Sequence, residues 1–571
     1  MLARLPEGAR LLLCGRMKAA TTISKSTATT HSARKGRRRL ILRASLAALL
    51  SVHAAQATSL TWDNGAATGG WNTTDLNWTG AAWSNATPDD AIFGATGVGT
   101  VSLTEAITAG RVTINSAGYI IDTATFGLTL NSGITANESA TIQSGAGGSI
   151  LLGANNAWSV AATKSLGVSS VISGTGFGLT KTGDGTLTLS GVNTYDGGTV
   201  VNAGTLALAG SGTFGAASGL LTVDGGTAIV NLGGTTQTVG AVTLKNGAQI
   251  NSGTLTGASS AVESGSVSAI LAGAGGLIKT TGGTVTLSGA NTYSGATTIG
   301  AGILNANATA ALGNSSGTNT LIFTGGTLQA SGTITSVAVR TVTLTSSGLI
   351  DTNGFGISIA GIMSGAGGLT KSGLGTLTFS AANTYDGVTN VNEGVLTVSN
   401  ATALGTTAGN TVVASGGEVF TGTTGLTVAE AFNIAGTGTT GAIHIGGNAT
   451  LIFSGAITLS ADARIQGDGG TTSTFSGGID LGSNILTFNG SGNTTVNTNA
   501  ISGVGGSIVK NTGGTLTLSG TNTFTGGVVL NAGTLAAATD ANLGGAGGGI
   551  TFNGSATFTP GSVIRTSCHG Q

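Results

Sequence analysis

Between residues 101 and 560 the chain repeats one local pattern: runs of about four residues in which every second position is aliphatic, separated by corners of Gly, Asn, Thr and Ser. Thr186-Leu187-Thr188-Leu189 and Thr376-Leu377-Thr378-Phe379 show it most plainly. A period of two places the aliphatic side chains on one face and the hydroxyls on the other, so each run predicts a short strand. The Gly-x-Asn-Thr and Asn-x-Gly corners tolerate the positive φ of a sharp bend. Further rungs of the same kind are Gly326-Thr327-Leu328-Gln329-Ala330, Ala449-Thr450-Leu451-Ile452-Phe453 and Asn484-Ile485-Leu486-Thr487-Phe488.

Four stretches are versions of one another. Residues 178–206 read GLTKTGDGTLTLSGVNTYDGGTVVNAGTL, and residues 276–304, 368–396 and 507–535 repeat that text without an insertion. Each has a lysine (Lys181, Lys279, Lys371, Lys510) followed, always at the same distance, by an Asn-Thr-aromatic step: Asn193-Thr194-Tyr195, Asn291-Thr292-Tyr293, Asn383-Thr384-Tyr385 and Asn522-Thr523-Phe524. A glycine also falls at one constant distance beyond each lysine, at Gly204, Gly302, Gly394 and Gly533. Short strands and tight corners recurring at this spacing predict an all-β parallel β-helix, a solenoid of roughly 20-residue coils.

The repeated unit resembles the autotransporter-associated β-strand repeat, found in passenger regions that Gram-negative bacteria display on the cell surface or release. The resemblance implies an exported passenger. It also implies a membrane β-barrel after the passenger, and no such barrel follows in this sequence.

Composition agrees with a solenoid. The 571 residues include 103 glycines and 3 prolines, and only 7% are charged against the ~25% usual in a globular domain. A stack of coils can solvate its outer face with Thr, Ser and Asn, while the 40% hydrophobic content supplies a thin continuous core. The aliphatic alternation argues against disorder.

Residues 1–57 read as an export signal: the basic Lys35-Gly36-Arg37-Arg38-Arg39, an apolar stretch over 40–52, and the small-x-small site Ala55-Gln56-Ala57. Met17 offers an alternative start. The leader holds 11 of the 21 Lys and Arg and one of the 21 acids, so the remainder has 10 bases and 20 acids, a net charge of −10. That disfavours a nucleic-acid partner, which needs clustered positive charge. Cys14 leaves with the leader and Cys568 remains alone, so no internal disulfide forms.

Residues 58–100 hold Trp62, Trp71, Trp78 and Trp83, four of the five tryptophans. They are expected to cap the first coil, with a row of indoles for stacking on sugars as the alternative. The repeat lysines are expected on the solvent face as edge charges, or, less simply, as readers of an anionic ligand. Each repeat asparagine is expected to close its own turn, with the aromatic packed over the corner.

Catalytic chemistry is sparse. His444, in Ile443-His444-Ile445, reads as an ordinary strand residue. Gly313-Asn314-Ser315-Ser316-Gly317 fits G-x-S-x-G only as a chance match in Gly/Ser-rich sequence. Asp89-Asp90 is an acid pair without a neighbouring His, and Gln466-Gly467-Asp468-Gly469-Gly470 is one fragment of a calcium repeat rather than an array. No catalytic, cofactor-binding or metal-ligating residue is assigned. Residues 561–571, with Arg, Cys and His close together, read as an irregular tail left by truncation or a frame shift. The sequence thus predicts a non-catalytic exported passenger, an adhesin or autoaggregation stalk. Its partner would be an extracellular surface, a glycan or a neighbouring cell. A polysaccharide-active β-helix enzyme and a truncated spacer without function are the alternatives.

Overall fold

The computed structural model describes residues 57–561 apart from residue 498. Residues 1–56 of the export signal, with Cys14 and Met17, and residues 562–571 of the tail, with Cys568 and His569, lie outside the described residues. Residues 57–561 form about 21 parallel stacked coils, a β-solenoid with no α-helix.

Each strand pairs with the strand one coil before and one coil after it. Thr199–Val201 lies between Leu179–Thr182 and Leu221–Asp224, while on a second face Thr205–Leu208 lies between Thr186–Leu189 and Ile229–Asn231. The pairs of named strands are all parallel, and an isolated antiparallel bridge joins Trp62 to Trp78. The offset between coils is not fixed: the step that pairs Ser260 with Leu277 is short, and the one that pairs Ala140 with Leu166 is half as long again. Three ladders absorb extra residues as bulges, between Ala109 and Arg111, Val391 and Glu393, and Ile434 and Gly436, and their pairing resumes beyond each.

The period-two pattern decides what lies inside. Leu187, Leu189, Leu206 and Leu208 are buried, whereas Thr186, Thr188 and Thr205 face outward. Parallel register puts like on like, so Leu187, Leu206, Val230, Ile250, Val267 and Leu287 form one continuous aliphatic column. Each such side chain contributes about 1.5–3 kcal/mol by leaving water. Phe453 and Phe475 extend the same logic to rings, stacking at 4.9 Å and 9°, while Phe432 meets Phe453 edge-on from another face.

In the first described coils Trp62, Trp71, Trp78 and Trp83 are buried against one another, Phe93 and Tyr119, with ring centroids 4.8–6.1 Å apart among neighbours. Their faces are spent on this cluster, which leaves none open for a sugar ring. Asp89 fastens the same region: its carboxylate accepts from the Thr58 amide (2.9 Å), the Thr58 hydroxyl (2.7 Å) and the Ser84 amide (3.2 Å).

Candidate functional site

The four repeats share an arrangement of buried polar side chains: each buries a lysine and an asparagine, and the first three also bury a tyrosine–threonine pair. All four lysines are buried, at 0–2% exposure. This overturns the expected edge charge. Lys181 shares the inward parity of Leu179 in Leu179–Thr182, so its stem runs through the core to the next corner. There its Nζ donates to the carbonyls of Thr182 (2.9 Å), Gly183 (2.6 Å) and, one coil on, Ala203 (3.1 Å).

Lys279 and Lys371 likewise reach a carbonyl one coil on, whereas Lys510 bonds to its own corner alone. Lys371 reaches the Thr352 hydroxyl (3.0 Å) and the carbonyls of Ser372 (2.9 Å), Gly373 (2.5 Å) and Glu393 (2.9 Å). Lys279 reaches the carbonyls of Thr281 and Ala301, and Lys510 those of Thr512 and Gly513. Among the described residues none of these ammoniums forms an ion pair with a carboxylate. Burial pulls the pKa of Lys181, Lys371 and Lys510 down to about 8, and that of Lys279 in the same direction.

The glycine at a constant distance beyond each lysine turns the next coil over the nest. Gly204 has φ +63°, and a Cβ there would lie 2.4–2.5 Å from the carbonyl oxygens of Gly185 and Gly183. The fixed spacing of lysine and glycine is therefore the geometry of one ammonium sandwiched between two corners.

The repeat asparagines do not close their own turns, as expected from sequence; they grip the coils on either side. Asn193 accepts from the Ile172 amide (2.8 Å) on the coil before and donates to the Thr213 carbonyl (2.7 Å) on the coil after. Asn291 does this between Leu271 and Ala311, Asn383 between Met363 and Ala403, and Asn522 between Ile501 and Asn542. Each buried amide thus staples three coils.

The aromatics lie inside the core. The Tyr195, Tyr293 and Tyr385 hydroxyls meet those of Thr199, Thr297 and Thr389 at 2.6–2.7 Å. Thr199 in turn donates to the Phe214 carbonyl at 2.9 Å. Its only proton is used there, so Tyr195 is the donor of the pair. In the fourth copy Phe524 replaces the tyrosine and Val528 stands at the position of the threonine, so both hydroxyls are missing together.

Sequence reasoning missed the last member. One more glycine recurs at a constant distance from each asparagine (Gly215, Gly313, Gly405, Gly544) and sits at φ +93° to +108°, with the carbonyl oxygen of the repeat aromatic 2.3–2.8 Å from where its Cβ would be. The spacing is as constant as that of the lysine, but it falls beyond the unit recognised in the sequence. The working unit is therefore about two coils long.

A scan of family models matches residues 179–208, 277–306, 369–398 and 508–537 to the passenger-associated-transport-repeat. These four units are passenger-associated-transport repeats. The chain is also 35% identical, over 207 residues, to "Adhesin BmaC autotransporter" of Brucella suis biovar 1 (strain 1330). That match covers 34% of this chain and 5% of the adhesin's length. Each transport-repeat match stops short of the glycine over the aromatic, as the sequence unit did.

Asp90 accepts from the Arg111 amide (2.7 Å), so like Asp89 it holds backbone. In the chance G-x-S-x-G, Ser315 bends at φ +59° and the Ser316 hydroxyl meets Thr318 at 2.9 Å, in the loop that closes the second transport repeat. His444 is not an ordinary strand residue: its Nδ1 lies 2.9 Å from Glu418 and its Nε2 3.2 Å from Asp468, one carboxylate on each neighbouring coil. Asp468, from the fragment resembling a calcium repeat, is thereby engaged with an imidazole. Among the described residues no group of three or more His, Cys, Asp or Glu is arranged to hold a metal.

Two further ionisable groups are buried. Arg340 donates to the carbonyls of Leu312 (3.3 Å) and Gly313 (3.2 Å) and to Asn319. The Glu430 Oε1 has no partner, and burial pushes its carboxyl up to about 7. The third transport repeat alone carries Leu374 and Glu393 where the others have Asp or Gly and Ala. With Asp351, Asn353 and Ser372 these line an open groove of about 450 Å³.

Proposed function

We propose that the chain is a non-catalytic autotransporter passenger, exported by the signal in residues 1–57 and acting as an adhesin or autoaggregation stalk. One observation carries this reading: the side chains able to do chemistry are committed to holding coils together. The repeat Lys, Asn and Tyr, with Asp89 and Asp90, grip backbone or one another. What is left for recognition is the outer face of Thr, Ser and Asn with scattered carboxylates such as Asp184 and Glu393, which suits many weak contacts and avidity rather than one pocket. The local likeness to a protein named an adhesin supports the same role. Its partner is a neighbouring cell, a glycan or another extracellular surface, and an outer-membrane β-barrel is what such export requires. The Trp62–Trp83 cluster closes the first coil.

The test is an in-frame deletion of the gene with complementation, scored for cell–cell and cell–surface attachment, with antibody labelling of intact cells. Attachment should fall on deletion and return on complementation. Unchanged attachment, in a strain whose surface labels for the passenger, refutes the adhesive role; absence of label on intact cells refutes export to the surface.

A further inference from the structure

The asparagine staples are unevenly spread. The first transport repeat grips as far as Thr213 and the second begins its grip at Leu271; the second reaches Ala311 and the third begins at Met363. The third reaches Ala403, and the fourth does not begin until Ile501, which makes this last interval by far the longest of the three. It contains the Glu418–His444–Asp468 column, whose members lie on three successive coils and connect one coil to the next twice.

The surroundings of His444 define what it senses. On the preceding coil are Glu418, whose other oxygen accepts from the Thr440 amide (2.8 Å), and Phe420, whose ring meets the imidazole edge-on at 4.9 Å. On the following coil are Asp468, which also accepts from Gln466 (3.3 Å), and Arg464, whose guanidinium turns away to the Thr437 carbonyl (3.0 Å). Asn489, a coil further on, donates to Gln466 (2.6 Å). The two carboxylates are the charged groups that engage the ring.

An imidazolium donates from both nitrogens and satisfies both carboxylates. A neutral imidazole donates from one, and turns the lone pair of the other toward a carboxylate oxygen. Whichever tautomer forms, one of the two connections between coils is lost. We propose that the Glu418–His444–Asp468 column is a proton-operated clasp: with His444 charged it fastens three successive coils in the stretch the repeats leave unstapled, and on losing that proton it lets go of one of the two neighbouring coils.

The sign follows from linkage. Burial works against the charge on His444, but the hydrogen bonds to Glu418 and Asp468 outweigh it and its pKa is raised. A raised histidine contributes stability that is complete below its unfolded pKa and is lost as pH climbs through the folded one. For Glu418 burial is outweighed by the bonds from His444 and Thr440, so its pKa is lowered, and its contribution is lost only as pH falls through the folded value. The clasp is therefore fullest between about pH 5 and 6.5.

Hydrogen exchange of the full chain at pH 5.5 and pH 8, corrected for intrinsic exchange rates, tests this directly. Peptides covering Thr411–Thr421, Ile443–Ile445 and Ile457–Gly467 should lose protection at the higher pH. The loss should be about tenfold for each pH unit that separates the folded from the unfolded pKa of His444, while Thr254–Gly257 stays unchanged. Glu430, beside Thr411–Thr421, ionises near 7 and would lower protection here with the same sign, so the comparison is made on the Glu430→Gln chain, where His444→Gln should abolish the remaining pH dependence. Equal corrected protection at the two pH values overturns the proposal. So does an NMR titration of the wild-type imidazole at or below about 6.5, a measurement that does not depend on the variant folding.

Discussion

The fourth transport repeat performs a double substitution that can be carried back into the first. Thr199→Val would strand the Tyr195 hydroxyl in a fully buried site, because Tyr195 donates and Thr199 accepts. An orphaned buried donor costs about 1–3 kcal/mol, and the lost bond from Thr199 to the Phe214 carbonyl adds about 0.5–1.5 kcal/mol. Tyr195→Phe removes the donor but leaves Thr199 bonded to Phe214, so it should cost only about 0.5–1.5 kcal/mol. The double variant reproduces the Phe524–Val528 pair. It should be less destabilised than the sum of the singles by about 1–2 kcal/mol, because the orphaned hydroxyl is gone. Solenoids need not unfold in one step, so the readout is local: hydrogen exchange over Leu179–Thr182, Thr199–Val201 and Leu221–Asp224 in all four proteins. Additivity within about 0.3–0.5 kcal/mol would refute the view that these two hydroxyls form a coupled buried pair.

Lys371→Met should lower local stability around Lys371 by about 2–4 kcal/mol, since it takes a donor from the Gly373 and Glu393 carbonyls while Ser372 keeps the Thr352 amide and hydroxyl; unchanged exchange there would contradict the nest. In the unsubstituted chain the repeat lysines titrate near 8 when folded and near 10.4 when unfolded, so the unfolded state binds more protons between those values. Protection around Lys181, Lys371 and Lys510 should therefore rise over that range, opposite in sign to the region of His444. Gly405→Ala should cost about 2–4 kcal/mol, because its Cβ would stand 2.5 Å from the Tyr385 carbonyl oxygen at φ +97°. Gly354→Ala, at φ +85° with open space, should cost about 1 kcal/mol, and denaturant melts of the two variants check the difference. Glu430→Gln should stabilise the chain by about 2–3 kcal/mol at pH 8 and leave it nearly unchanged at pH 4, because a carboxyl held near 7 is penalised only once solution conditions ionise it.

The solenoid was legible in the sequence because inward parity and coil stacking both follow from a period of two, as at Thr186–Leu189. The same parity also placed the lysines: in Leu179-Thr180-Lys181 the lysine shares the side of the leucine. The general preference of charge for water argued the other way and was wrong, because the corner carbonyls solvate the ammonium in place of water. Gly405 and its three counterparts were legible as a constant spacing, but they lie in the coil after the recognised unit. The partners of His444 were not legible. Glu418 and Asp468 come from the coils before and after it, and with steps as unequal as Ser260 to Leu277 and Ala140 to Leu166 no sequence rule says which residue falls beside which.

No described side-chain hydrogen bond joins residues more than 47 positions apart, the distance from Thr123 to Ser170. A segment of this chain therefore waits for no distant partner: once about two coils are present, the contacts that hold them are present too. A polypeptide built this way folds from whichever end is delivered first. Each finished coil is a template for the next and a bulky obstacle to sliding back. Were such a chain drawn through a narrow opening, its own folding would rectify the passage, with the buried nests and staples as the teeth of the ratchet.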